Sequence, residues 1–323
     1  MKKRIIILGS IVFALLALWS VAWFVLAGLV RQNVEAQALA DGVTAPRLTC
    51  GTLSVSGFPF RMTVDCDTAQ VALNDVILDL AGLRATMVVE RPTMVIASAR
   101  GPLSINDTFT GTRNQLAWST LDTSLRLDNW RIARFSVSGK DVVWSDTLFG
   151  VTVIAQSPLL ELHLFDIPEQ HDADRRLAAL SSYIRTQALS YPALTLSDTS
   201  ADIQLELTGL PDDIRNWSDP MLLQGLQQAG GQLKIVAVHA TDAASTLDAN
   251  GQLGLDPQGL VEGQVAITST GVAERLGPLL QEPWRTLVLG TPAADGSHGN
   301  LLNFRAGALF SGLMPVAAIP PLF

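Results

Sequence analysis

The chain opens on an unbroken apolar run and then changes to alternation. From Ile5 to Val30, "IIILGSIVFALLALWSVAWFVLAGLV" carries no charged residue, and Lys2, Lys3 and Arg4 stand directly before it. About 20 apolar residues cross a bilayer as a helix, so this run is long enough. Flanking cations stay on the cytoplasmic side, which predicts a single crossing with the N-terminus inside and the rest of the chain outside. The apolar core exceeds the roughly 7–15 residues of a signal peptide. The A-x-A site best suited to cleavage, Ala38-Leu39-Ala40, lies well past its end. Residues 1–30 are therefore expected to remain as an anchor. "RQNVEAQALADG" then reads as a short helical stalk over 31–43, closed by Gly42.

From Leu48 the period becomes that of half-buried strands. Ile203, Leu205 and Leu207 alternate with Asp202, Gln204 and Glu206. Leu247, Ala249, Leu253 and Leu255 do the same, as do Val261, Val265 and Ile267. Between these last two runs stands "DPQG", residues 256–259, whose Asp, Pro and Gly suit a type I turn and predict a hairpin. Three segments predict helices. In "EQHDADRRLAALSSYIRTQAL", Leu177, Leu180, Ile184 and Ala188 share one helical face over 172–189. "SDPMLLQGLQQAGG" has Ser218 as N-cap, Pro220 in the first turn and Gly230-Gly231 as a stop, giving a helix over 219–229. "GVAERLGPLLQEPWRTLVLG" is helical in part and broken by Pro278 and Pro283. The fold class expected is α+β: a long, curved antiparallel sheet with a few helices packed on it, plus one transmembrane helix. Residues 44–323 form one elongated body, with a boundary suggested near residue 168.

Composition sharpens the picture in two respects. The 323 residues carry a net charge of −8, which becomes −11 once the three N-terminal cations are set aside. An acidic exterior without a basic patch excludes nucleic acid as a partner and excludes docking on anionic headgroups by charge. The two cysteines, Cys50 and Cys66, flank Gly57-Phe58-Pro59, where a glycine free to adopt positive φ and a φ-fixed proline make a turn between "TLSVS" and "FRMTV". In an oxidising exterior the two cysteines are expected to pair. Matching the apolar faces sets Leu53 against Val64 and Val55 against Met62, which leaves Cys50 opposite Asp67. A bulge at Gly51-Thr52 would bring Cys50 opposite Cys66.

The anchor followed by Gly57, Phe58, Pro59, Phe60 and Arg61 ("GFPFR") resembles a bacterial envelope family catalogued only as a domain of unknown function. The segments "GGQLKIVAVHA", "LDANGQLGLDPQGLVEGQVAIT" and "FRAGALFSGLMPVAAIPPLF" are similar to the closing hairpins of AsmA-like envelope proteins. Residues 100–190 carry no such likeness. The resemblance implies a single-pass protein of the bacterial inner membrane with a periplasmic body and a sheet whose apolar face holds lipid chains. Its motifs are structural and bring no catalytic residue.

Chemistry is sparse. The sequence lacks G-x-S-x-G, HExxH, a phosphate-binding loop and GxGxxG. His163, His171, His239 and His298 stand far apart. "DGSHGN" at 295–300 reads as a polar loop rather than a triad, and Asp65 and Asp67 as a solvated strand face. "WRIARFSVSGKDVVW" at 130–144 reads as a strand pair near the sheet edge. No enzyme activity, cofactor or metal is expected. Two functions remain. One is a lipid-binding groove lined by residues such as Leu205, Leu253 and Val265. The other is a tethered scaffold contacting other envelope proteins without a small ligand.

Overall fold

The computed structural model describes residues 2–276 and 282–323. A single helix, α1 (Lys2–Gln37), continues past residue 31 without a break. The first residues of the expected stalk are thus the last turns of this apolar helix. The chain leaves it through a turn in which the Asp41 carboxylate accepts from the backbone N–H groups of Val43 and Thr44, both at 2.9 Å. Among the described residues sixteen antiparallel strands follow, all in one sheet.

Contacts divide the chain into two units, Met1–Ser124 with Trp144–Thr152, and Leu125–Val143 with Val153–Phe323. The division does not fall near residue 168. The first unit holds α1 and the meander β1 (Arg47–Ser56), β2 (Arg61–Leu73), β3 (Val76–Val88), β4 (Arg91–Asp107) and β5 (Arg113–Ala117). Strands β6 (Thr120–Asp128) and β7 (Arg131–Asp146) belong partly to each unit. The second unit continues with β8 (Thr152–Asp166), β9 (Leu177–Tyr191), β10 (Leu196–Pro211), β11 (Gln232–Thr241), β12 (Thr246–Leu255), β13 (Val261–Thr270), β14 (His298–Arg305), β15 (Ala308–Ser311) and β16 (Met314–Ala318). Its helices are short: α2 (Leu222–Gln228), α3 (Val272–Leu276) and α4 (Trp284–Leu289).

Tight turns let each strand fold straight back on the last. Asn129 and Trp130 adopt φ of 48° and 67°, and Ala306 and Gly307 adopt 49° and 71°. Two successive left-handed residues give the turn whose twist matches that of paired strands. At the predicted hairpin, Gly259 N–H donates to the Asp256 carbonyl at 3.0 Å, and Gly259 has φ of 74°. The segment 130–144, expected as a strand pair near the sheet edge, is the single strand β7, which has a neighbour on each side in the strand order and is interior.

The helix expected over 172–189 is β9, preceded by a 3-10 turn at Pro168–Gln170. Leu180, Ile184 and Ala188 are spaced by four, which places residues on one helix face and equally on one strand face. Pairing to β8 and β10 along its length decides for the strand. The helix over 219–229 is present but begins at Leu222. Ser218 does not cap it; that residue closes a 3-10 turn, Ile214–Ser218, whose N-cap is Asp213. Pro278 lies outside the described residues, and Pro283 stands immediately before α4.

The β1–β2 register also differs from expectation. Leu53 faces Cys66, Val55 faces Val64, and Cys50 faces Ala69. The register is the same on both sides of Gly51, so no residue is inserted and the bulge at Gly51-Thr52 is absent. Cys50 and Cys66 are nonetheless joined by a disulfide, with Cα atoms 5.4 Å apart. A three-residue offset along a straight strand would separate them by about 10 Å. The ladder bends here: Gly51 has no ladder partner, and Thr68 across from it sits at φ of 52°.

Candidate functional site

Among the described residues two apolar surfaces are the candidate sites, one in each unit. In the first unit, the turn joining β1 to β2 docks on α1. Gly57 has φ of 106°, and a Cβ there would meet the Arg61 carbonyl oxygen at 2.9 Å, so the turn needs glycine. Phe58, Pro59 and Phe60 form the turn. Trp19 Nε1 donates to the Pro59 carbonyl at 3.1 Å, and Trp23 Nε1 donates to the Arg61 carbonyl at 3.0 Å. Four residues of helix rise about 6 Å and two residues of strand about 6.6 Å, so helix and strand run alongside in step. The Phe58 ring lies 5.6 Å from Trp23 and 5.7 Å from Phe24. Above the turn, Trp23, Ala27 and Met62 are buried together, with Val30, Val55 and Met87 packed on them.

Below Trp23 the contact opens into a groove of about 860 Å³, bounded by α1, the Phe58–Phe60 turn and the Val89-Glu90 turn between β3 and β4. Val89 N–H donates to the Phe60 carbonyl at 3.0 Å, tying the two turns together. α1 is long and apolar enough to cross a membrane. Sequence reasoning missed this docking. Its signal was Trp19 and Trp23, four residues apart and therefore on one face of an otherwise aliphatic helix.

In the second unit, cross-strand pairing collects the three predicted groove residues on one sheet face. One row runs Leu164, Ser182, Leu205, Ile235, Gly251, Val265, Leu302. The adjacent row runs Leu180, Leu207, Leu233, Leu253, Gly263, Phe304. Leu205 and Val265 thus share a row, and Leu253 lies in the next. Leu180 and Leu210 are buried with Ile132, and Leu207, Leu226 and Trp217 pack on them. Val265 and Leu302 are buried at the α3–α4 end, whereas Leu205 and Leu253 are half-buried.

The opposite face is polar. Glu161, Arg185, Asp202, His239 and Asp248 stand side by side across five strands. The Tyr183 hydroxyl donates to the Asp202 carboxylate, and Arg185 Nε donates to it at 2.7 Å. The bond from Tyr183, followed by that from Arg185, holds the Asp202 carboxyl below its usual range, and the same contact pushes the Tyr183 hydroxyl up. Asp65 pairs with Arg84, and Asp67 with Arg100, which crosses Gly82 where a Cβ would obstruct it. These are solvated strand-face pairs.

The remaining sequence candidates do not converge. Asp295 accepts from the Ser297 backbone and hydroxyl at 3.0 and 2.7 Å, closing a loop, while His298 begins β14. His171 meets Asp166, and His239 meets Asp248, each at 2.7 Å. Arg134 lies over the Phe165 ring at 5.1 Å and Arg215 over the Trp130 ring at 4.7 Å, so the aromatic–basic segment at 130–144 stacks internally. Among the described residues no group of three His, Cys, Asp or Glu is placed to hold a metal ion.

No curated protein and no solved structure matches the chain. One family model matches residues 23–320, beginning at the tryptophan that joins α1 to the first hairpin. The chain therefore belongs to the DUF2125 family, described as uncharacterized protein conserved in bacteria.

Proposed function

We propose that this is a single-pass inner-membrane protein whose body lies in the periplasm and binds a lipid chain on the apolar sheet face of its second unit, without catalysing a reaction. Three features support the tether. Cations precede the only apolar run, the disulfide fits an oxidising compartment, and the body buries Trp23 and Ala27. Removing the helix at Ala38-Leu39-Ala40 would expose Met62, which argues for a retained anchor.

The lipid reading is carried by one observation: among the described residues, the apolar rows are wider than the helices that pack on them. Helices α2, α3 and α4 have 7, 5 and 6 residues. At about 1.5 Å rise and about 10 Å width, their footprints total about 270 Å². Seven strands, β8 to β14, at about 4.8 Å spacing and about 13 Å across the two rows, present about 440 Å². Uncovered apolar area costs about 25 cal/mol per Å², so an acyl chain has a reason to lie there. Likeness to AsmA-like envelope proteins in the closing hairpins supports the same reading.

A second reading, a scaffold for another envelope protein, is favoured by a separate patch in the first unit. Phe109, Phe149 and Val151 are 84%, 98% and 75% exposed. They lie on adjacent loops, joined where Thr147 N–H donates to the Arg113 carbonyl at 2.8 Å. Lipid extraction of the purified full chain separates the two readings. Bound lipid lost in Leu253→Asp supports the sheet face; a wild-type chain that carries no lipid at all leaves the scaffold.

A further inference from the structure

We propose that the groove between α1 and the β1–β2 and β3–β4 turns holds one chain of an amine-headgroup phospholipid from the extracytoplasmic leaflet, with Glu90 receiving the ammonium group. This site is separate from the sheet face of the second unit and rests only on the membrane orientation proposed above.

Depth places the groove in the bilayer. At about 1.5 Å per residue, Trp19 lies about 21 Å beyond Ile5, and Trp23 about 27 Å. A hydrocarbon core is about 30 Å thick, so a core that starts at Ile5 ends a few ångströms beyond Trp23. The Pro59 carbonyl is fixed at Trp19 and the Arg61 carbonyl at Trp23. The Phe58–Phe60 turn therefore reaches the outer part of the hydrocarbon. Its aromatic rings fit that position: Phe58 is 47% and Phe60 64% exposed. A turn with two exposed phenylalanines facing water would be costly, whereas facing acyl chains it is not.

Shape and charge then narrow the occupant. The groove volume of about 860 Å³ lies within the range of formed ligand sites. Its walls include Leu15, Leu16 and Trp19 from α1, and Phe58 and Phe60 from the turn. A chain gains little by leaving one apolar surrounding for another, since lipid tails are as apolar as leucine. Selection must come from close packing and from the headgroup. One charged residue, Glu90, lines the groove. Among the described residues no ion pair joins it, and it follows Val89, which is tied to Phe60, so it stands in the outer part of the hydrocarbon, where a lone carboxylate is costly. Arg61 and Arg91 are both paired with Val88, while Met62, next to Arg61, packs on Trp23. Alternation turns both arginines to the sheet face away from α1. The groove side thus presents a carboxylate, which matches an ammonium headgroup and repels an anionic one.

The test uses the full chain in bilayer discs made of equal amounts of ethanolamine-headgroup and glycerol-headgroup phospholipid. Retained lipids are counted by native mass spectrometry after transfer to detergent. The wild type is expected to keep the amine lipid about threefold or more over the anionic one, as a single partly exposed charge pair allows. Glu90→Gln brings that ratio to about one, and Leu16→Trp, which fills the groove from an exposed helix face, removes the retained lipid while the circular dichroism stays unchanged. A wild-type ratio of one, full retention in Leu16→Trp, or a membrane helix retained in place of lipid would each overturn the proposal. A ratio that falls in Leu253→Asp would move the lipid to the sheet face and overturn it as well. A topology reporter that overturns the orientation alone leaves these ratios as they are, which keeps the two failures apart.

Discussion

Truncating Leu180 and Leu253 to alanine measures how far the apolar face of the second unit is sealed. Leu180 is 7% exposed and packs with Ile132, Leu207, Leu210 and Leu226. Leu180→Ala removes three carbons at about 0.8 kcal/mol each and leaves a cavity that its strand and helix neighbours fill only in part. The expected loss is about 3 kcal/mol. Leu253 sits in the same row two strands beyond Leu207 but is half-buried, with glycine at 263 as its neighbour across β13. Less of its side chain leaves water on folding, and no closed cavity forms when it is shortened. The expected loss for Leu253→Ala is about 1 kcal/mol. The assay is urea unfolding of the full chain in detergent, followed by both tryptophan fluorescence and far-ultraviolet circular dichroism. Coincident transitions are required, because two units need not unfold together. If Leu253→Ala costs as much as Leu180→Ala, the face is a closed core and has no room for a chain. A cost below 1 kcal/mol for Leu180→Ala would remove β9 from the core and restore the helical alternative for 172–189.

Other consequences follow from local geometry. Reducing the Cys50–Cys66 disulfide, whose sequence separation is 16, should lower stability by about 3 kcal/mol in the chain-entropy model; an unchanged urea midpoint under reductant would contradict the bond. Gly57→Ala forces an alanine to φ of 106° against the Arg61 carbonyl and should cost more than 1 kcal/mol, with a larger loss of the fluorescence signature of Trp23 than of the second unit. Asp213 is held at a pKa of about 2, below the ordinary 3.8 of an aspartate, by the Arg215 guanidinium and then by the Arg215 backbone N–H. A depressed carboxyl stabilises the fold above its unfolded value and loses that contribution as pH falls from about 4 to about 2. Asp213→Asn should therefore flatten the acid limb of the stability profile over that interval; an acid limb as steep as that of the wild type would contradict this.

The N-terminal apolar helix, the Gly57-Pro59 turn, the hairpin at 256–259 and the alternating strands were all legible, because each rests on local period or turn chemistry. Three misreadings share a cause: the local pattern was compatible with two structures. Spacing by four at Leu180, Ile184 and Ala188 suits helix and strand alike, and only pairing on both sides chooses. In the first hairpin the register differs by two residues from the one that matched apolar faces: Leu53 faces Cys66, not Val64. A slip of two leaves every side chain on its original face, so hydrophobic pattern cannot detect it. The extra residue expected at Gly51-Thr52 followed from that slip. The docking of the first hairpin on α1 depends on which carbonyl each tryptophan N–H finds, a tertiary choice that local pattern does not encode. The grouping of Leu205 and Val265 in one row was implied by their alternation, but it needed the register of four strands to become definite.

The account stands or falls on where the body lies. A reporter enzyme active only outside the cytoplasm and another active only inside it, each fused after Phe323 of the full chain, measure this directly. The account predicts activity from the exterior reporter alone, with the chain still carrying its first 30 residues. Activity from the cytoplasmic reporter alone would contradict it, and with it the oxidised cysteine pair and the extracytoplasmic leaflet as the source of lipid.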